Sequence, residues 1–265
     1  FDTAEVKRTK DINLLSYHIT YYSDYSEGKA REECALLMIP YSDKQTGEFP
    51  LVEINHGTLI GSDAGTTTLN SNYSESWIAW YLVSTGVAVL LPETPGFGFT
   101  QKEVFHPYMN KKALGVSSRD ALNAAVQFFE YNRENKIFNN GLDFNGKVAI
   151  AGYSEGGFTT LAVLEELQKD PVEGIDLKLI LPMAAPCDVS GTMFECFRPE
   201  KKYPHPFYMP YCFLGWEKTN PELLNKNRVF SEKFKADVLP SFLDKSSKDT
   251  LESEAHLYHV QEKNN

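Results

Sequence analysis

The segment Gly152-Tyr153-Ser154-Glu155-Gly156-Gly157 joins two regular stretches, the short apolar strand Lys147 to Ala151 and a helix-periodic run from Phe158 to Gln168. A chain that passes from a buried strand into a helix within so few residues must turn sharply. Glycines on both sides of the turn let strand and helix approach without a Cβ clash. A serine at the apex sits at a helix N-terminus with its hydroxyl clear of the sheet, which is the arrangement of a Gly-x-Ser-x-Gly nucleophile elbow. The bare pattern is common by chance; its strand–turn–helix setting gives it weight. Ser154 is therefore the candidate nucleophile, against the alternative of a purely structural turn.

The surrounding chain alternates between strand-like and helix-like segments. Leu51 to Asn55 is a buried strand, Trp77 to Ser84 a helix stopped by Gly86, and Val87 to Leu91 a second strand. Ser117 to Phe129 places Leu122, Ala125, Val126 and Phe129 on one helical face, and Leu177 to Pro182 is another apolar strand. This βαβ alternation predicts an α/β fold with a mostly parallel sheet flanked by helices. Ahead of it, Leu14 to Tyr22 and Cys34 to Ile39 read as a β-ribbon across the turn-rich Ser23 to Lys29. From about Ser190 the pattern changes. Phe194 to Trp216 is crowded with Phe, Tyr, Pro and Met, and the rest is polar and helix-compatible. The expected organisation is a core over residues 1–190 and a mainly helical cap over 191–265, with no further buried strand after Leu177 to Pro182.

Charge and composition exclude several classes. With 26 Lys and Arg against 36 Asp and Glu, the formal net charge is -10, so nucleic acid is not an expected partner. No apolar run approaches the ~20 residues that span a bilayer. Phe1 opens the sequence without an initiator Met, so the question of a leader stays open. Cys34, Cys187, Cys196 and Cys212 are too few for a disulfide scaffold; one bridge among the last three and a fully reduced set both fit. Zinc-like spacing, a Walker loop and a dinucleotide fingerprint are all missing from the sequence, and no cofactor is implied.

His56-Gly57-Thr58 follows the strand Leu51 to Asn55. An oxyanion hole paired with an elbow serine uses the N–H of the next residue, here Glu155, and a second N–H from this loop. Thr58 is the preferred second donor, with Gly57 next. His56 precedes the nucleophile and reads as a brace for the loop. Glu93, in Pro92-Glu93-Thr94-Pro95-Gly96-Phe97-Gly98, reads as part of a strand-end turn.

Together with these segments and the elbow, His106-Pro107-Tyr108 makes the chain resemble an α/β-hydrolase of the secretory lipase family of fungi and bacteria over most of residues 15–190. Related proteins usually carry Asp where this chain has Glu93. The resemblance implies hydrolysis of carboxylic esters, including acyl glycerols and similar lipid-like small molecules, by a Ser-acid-His triad under a helical cap. It also suggests a secreted or periplasmic setting.

The family places its acid and histidine beyond the cap, each after a later strand, and those core strands are missing from this reading. Asp188, just after Leu177 to Pro182, is the best acid in the sequence, with a turn or lid-hinge role as its alternative. His205 lies between two prolines in the aromatic segment, and His256 and His259 fall in a polar helical run. Two readings follow: a chain without the part that carries the acid and base, or a degenerate scaffold in which Ser154 has no proton acceptor. The aromatic segment could line an acyl tunnel or form the core of the cap. A non-catalytic ligand-binding or interaction protein on the same scaffold, and a peptidase or amidase of the same superfamily, are the rival functions.

Overall fold

In the computed structural model, which describes residues 7–9, 12–25, 28–42, 46–60, 74–137, 141–196, 204–219 and 229–244, the strands are β1 (Lys7–Thr9), β2 (Ile12–Ser23), β3 (Arg31–Tyr41), β4 (Gly47–Asn55), β5 (Ala88–Pro92), β6 (Leu142–Tyr153) and β7 (Asp176–Met183). They form one sheet in the order β1-β2-β3-β5-β4-β6-β7. The ribbon β1-β2-β3 is antiparallel and meets β5 antiparallel, whereas β5, β4, β6 and β7 run parallel. The helices are α1 (Ser74–Ser84), α2 (Lys111–Asn135), α3 (Glu155–Lys169), the single turn α4 (Phe194–Cys196), α5 (Tyr208–Thr219), α6 (Glu232–Asp237) and α7 (Leu239–Leu243).

The central strands are apolar at successive positions because both faces are covered. Ala35, Leu37 and Ile39 of β3 and Ala88 and Leu90 of β5 pack on the side of α2 and α3. Their neighbours Leu36, Met38, Val89 and Leu91 pack on the other side with Ala79 and Val83 of α1. Each such side chain withdrawn from water stabilises the fold by about 1.5–3 kcal/mol. At the far edge the pattern fails: Leu179, Leu181 and Met183 on β7 are exposed.

Several elements extend beyond the sequence reading, α2 and β6 the furthest. The helix expected over Ser117 to Phe129 starts at Lys111, because the Asn110 side chain accepts the Ala113 N–H at 3.0 Å as an N-cap, and it ends where Lys136 adopts a left-handed conformation. Gly115 inside this helix marks its crossing with α3, since a Cβ there would stand 2.9 Å from the Ala162 carbonyl oxygen. Strand β6 starts at Leu142, five residues before Lys147; Asn145 and Gly146, the latter at φ +79°, break the apolar run that defines the strand in sequence.

Helices α5 to α7 share an apolar cluster in which Phe207, Tyr211, Leu214, Phe234, Val238, Leu239 and Phe242 pack with Tyr108 and Met109 from the segment before α2. Much of the aromatic segment thus packs together. All four cysteines are free thiols. No helix among the described residues is long and apolar enough to cross a membrane.

Candidate active site

Strand β4 lies between β5 and β6. It leads through α1 to β5 on one side, while β6 leads through α3 to β7 on the other, and α1 and α3 cover opposite faces. Connections that diverge in this way leave a crevice at the carboxyl ends of the two strands. The residues at those ends are His56-Gly57-Thr58 and Ser154.

Ser154 lies between β6 and α3 at φ +57° and ψ -118°. This backbone conformation costs a non-glycine residue about 1–3 kcal/mol and persists only where its surroundings enforce it. The Ser154 N–H donates to the Met183 carbonyl at 2.9 Å, and its carbonyl accepts the Phe158 N–H at 3.1 Å. The flanking glycines fill no space because none exists. A Cβ on Gly152 would stand 2.9 Å from the Asn55 carbonyl oxygen, one on Gly156 would stand 2.7 Å from that of His56, and one on Gly157 would stand 2.7 Å from that of Met183. The ends of β4, β6 and β7 are therefore packed backbone to backbone around the turn. Among the described residues, no hydrogen bond engages the Ser154 hydroxyl.

The His56–Thr58 loop runs beside this turn, and a Cβ on Gly57 would meet the Tyr153 carbonyl oxygen at 3.5 Å. The Gly57 N–H already donates to Glu75 Oε1 at 2.9 Å. The Thr58 N–H meets no partner among the described residues. Glu155 opens α3, where a backbone N–H has no partner within the helix. Ser154 and Glu155 thus follow β6, and Thr58 follows β4, its neighbour in the sheet. Glu75, which takes up the Gly57 N–H, is a participant that the sequence did not signal.

Beneath the turn lies a buried polar cluster. His56 donates from Nδ1 to the Gly57 carbonyl at 2.8 Å, and its Nε2 lies 2.9 Å from the Thr94 hydroxyl. Burial lowers its pKa, so it stands as a neutral brace for its own loop. His106 Nε2 lies 2.7 Å from Glu155 Oε1, and His106 Nδ1 lies 2.8 Å from the Pro95 carbonyl oxygen. Glu93 is buried as well and accepts the Cys34 thiol at 2.9 Å, which ties the strand-end turn to β3. Burial, together with the Glu93 carboxylate, pushes the Cys34 thiol far up from its ordinary value. Tyr108 and Tyr211, 4.9 Å apart between ring centroids, close the site from the side of α5. The Tyr108 hydroxyl lies 3.1 Å from Thr58 Oγ1, and the Tyr211 hydroxyl donates to the Leu59 carbonyl at 3.1 Å.

Asp188 follows β7 and is exposed. Its Oδ1 accepts the Gly191 N–H at 2.9 Å, and its Oδ2 accepts the Thr192 N–H and hydroxyl, each at 2.8 Å. Those bonds hold its carboxyl below the ordinary value and cap the turn Val189–Met193. His205 is exposed beside Phe207 and Tyr208. His256 and His259 lie outside the described residues.

Comparison with solved structures settles the architecture. The chain superposes on a presumptive hydrolase of Legionella pneumophila with a TM-score of 0.74 and 23% identity, over 95% of this chain and 63% of that one. The fold is that of the α/β-hydrolases. The rice cell wall degrading esterase LipA of Xanthomonas oryzae matches with a TM-score of 0.75 and 21% identity, over 91% of this chain and 62% of the esterase. Candida antarctica lipase A in its closed state gives a TM-score of 0.54 at 13% identity, over 84% of this chain and 49% of the lipase. The chain thus spans less than two thirds of each of these proteins. No family model matches the sequence, and no curated protein matches it.

Proposed function

We propose that this chain carries the nucleophile half of a serine-dependent carboxylic-ester hydrolase, acting on small ester or lipid-like substrates. The observation that supports this best is Ser154 at positive φ between β6 and α3, with the Thr58 loop of β4 alongside. In this reading Ser154 Oγ attacks the acyl carbonyl carbon and its proton passes to a base outside the described residues. The tetrahedral oxyanion accepts hydrogen bonds from the N–H groups of Glu155 and Thr58. Collapse expels the protonated alcohol and leaves an acyl-enzyme, which water hydrolyses. Each oxyanion donor supplies about 2.7–4 kcal/mol of transition-state stabilisation.

Residues 1–190 form the hydrolase core in this proposal, and 191–265 a helical cap whose aromatic side chains border the crevice. Asp188 is the candidate acid among the described residues; to serve, its carboxylate would have to leave the Val189–Met193 turn that it now caps. The esterase activity in LipA's name is consistent with the reading. The test is fluorophosphonate labelling of the full-length protein with p-nitrophenyl ester turnover alongside. Labelling at Ser154, lost in Ser154→Ala together with turnover, is the expected result. An intact protein that binds an ester-like ligand but neither labels nor turns over would instead be a non-catalytic binder.

A further inference from the structure

The buried side chains of His106 and Glu155 have no role in the mechanism above, yet they stand directly under the turn that carries it. Both side chains are almost wholly removed from solvent, at 2% and 1% exposure. His106 Nδ1 faces the Pro95 carbonyl oxygen at 2.8 Å. A carbonyl only accepts, so Nδ1 carries a proton. Nε2 faces Glu155 Oε1 at 2.7 Å, too close for two bare acceptors, so one further proton lies between them. The pair is electrically neutral whichever atom holds that proton. Glu155 Oε2 is buried with no hydrogen-bond partner, so among the described residues His106 alone is bonded to this carboxyl group.

The imidazole is fixed from several directions. Gly96, at φ +93°, leaves no room for a Cβ against the His106 N and Cα atoms, which would lie at 2.5 Å. The Phe97 ring lies 4.8 Å away between centroids, and Tyr211 of α5 stacks on the imidazole at 5.9 Å and 29°. The strand-end turn after β5, the segment before α2 and the cap side thus all hold the group that meets the first residue of α3.

We propose that His106 is a positioning and charge-balancing residue for the oxyanion hole. It fixes the residue whose N–H meets the oxyanion and cancels the charge of that residue's own side chain. This rests on the ester-hydrolase reading of Ser154. An uncompensated carboxylate, itself buried and one residue from the nucleophile, would repel the negative charge that develops in the transition state and oppose the two N–H donors. A glutamate at this position is compatible with the chemistry only with its partner in place.

A double-mutant cycle in the full-length protein tests this, read by kcat and KM for a p-nitrophenyl ester, the rate of fluorophosphonate labelling, and thermal unfolding of each variant. His106→Gln leaves the Glu155 carboxyl without its proton-sharing partner. It is expected to lower kcat and the labelling rate by on the order of a hundredfold, with KM changed by less than about threefold. On the Glu155→Gln background the same change removes no charge balance and is expected to cost less than about threefold, against about a hundredfold on the wild-type background. Equal costs of His106→Gln on the two backgrounds, or losses that follow unfolding temperature alone, assign the pair to packing and overturn the proposal. If His106→Gln does not fold while the double variant folds and labels, charge balance is again supported. A wild type that neither labels nor turns over removes the hydrolase reading itself, and this inference with it; a labelled wild type with an unaffected His106→Gln removes only the inference.

Discussion

Tyr211 on α5 donates its hydroxyl proton to the carbonyl oxygen of Leu59 at 3.1 Å, joining the aromatic C-terminal segment to the loop that holds Thr58. Tyr211 is 5% exposed, so the bond is shielded from competing water. Tyr211→Phe keeps the ring contacts with His106 and Tyr108 and removes only the hydroxyl. The expected loss is about 1–3 kcal/mol of stability, the cost of a buried carbonyl left without its donor, and a fall in kcat larger than any rise in KM as the Thr58 loop loosens. Urea unfolding and steady-state ester kinetics on the same samples check both.

Gly156 has the tightest surroundings in the site, because a Cβ there would clash with the carbonyl oxygens of both Asn55 and His56. Gly156→Ala must push β4 away from the turn. The expected outcome is destabilisation by more than about 3 kcal/mol, or failure to fold. Gly28, whose added Cβ would meet nothing within 4 Å, is a suitable contrast: it stands at φ +84°, so Gly28→Ala reports backbone strain without the clash and should cost far less. Denaturant midpoints of the two variants decide it.

Stability should fall as pH rises through neutrality. Burial raises the Glu53 carboxyl from 4.5 to about 7 and the Glu33 carboxyl from 4.5 to about 8, although hydrogen bonds from Ser118 and Asn55 to the first and from Ser117 to the second oppose the shift. Over this range the native state keeps protons that the unfolded chain has already released. The contribution is therefore fully present below about pH 4.5, declines as pH rises through 7 and 8, and levels off above. Chemical denaturation at pH 5 and pH 8.5 should show a smaller pH dependence in Glu33→Gln/Glu53→Gln than in wild type. An unchanged difference would contradict the assignment.

Asn110→Ala removes the cap of α2, freeing the Ala113 N–H that its side chain accepts at 3.0 Å. The expected cost is about 1 kcal/mol, read as a shift in thermal midpoint. Asn110→Asp should restore most of it, since the carboxylate accepts the same bond.

The parallel sheet and the serine turn were legible because each announces itself locally. Apolar strands such as Leu177 to Pro182 end in turn residues, and glycines surround Ser154 where backbones touch. The first turns of α2 escaped the reading because its cap is a side-chain hydrogen bond of Asn110 and its early positions, Gly115 among them, are chosen for the crossing with α3. The beginning of β6 escaped because Gly146 interrupts it. In the proposed site, Ser154, Glu155 and Thr58 could be named from the order of strand and loop. Glu75, Tyr211 and the pairing of His106 with Glu155 could not, since each joins segments distant in sequence and carries no local pattern. His106-Pro107-Tyr108 was visible as a motif, but its contacts appear only in three dimensions.

The backbone-to-backbone packing around Ser154 separates what can vary in this molecule from what cannot. In the proposed hydrolase, side chains at the crevice can be exchanged to suit a different acyl or alcohol group while the turn stays as it is. The turn itself admits almost no variation, because its glycines are set by the main chains of three strands and not by any substrate. Under that proposal, redirecting the protein toward new esters calls for randomising the residues around the crevice while holding Gly152, Gly156 and Gly157 constant.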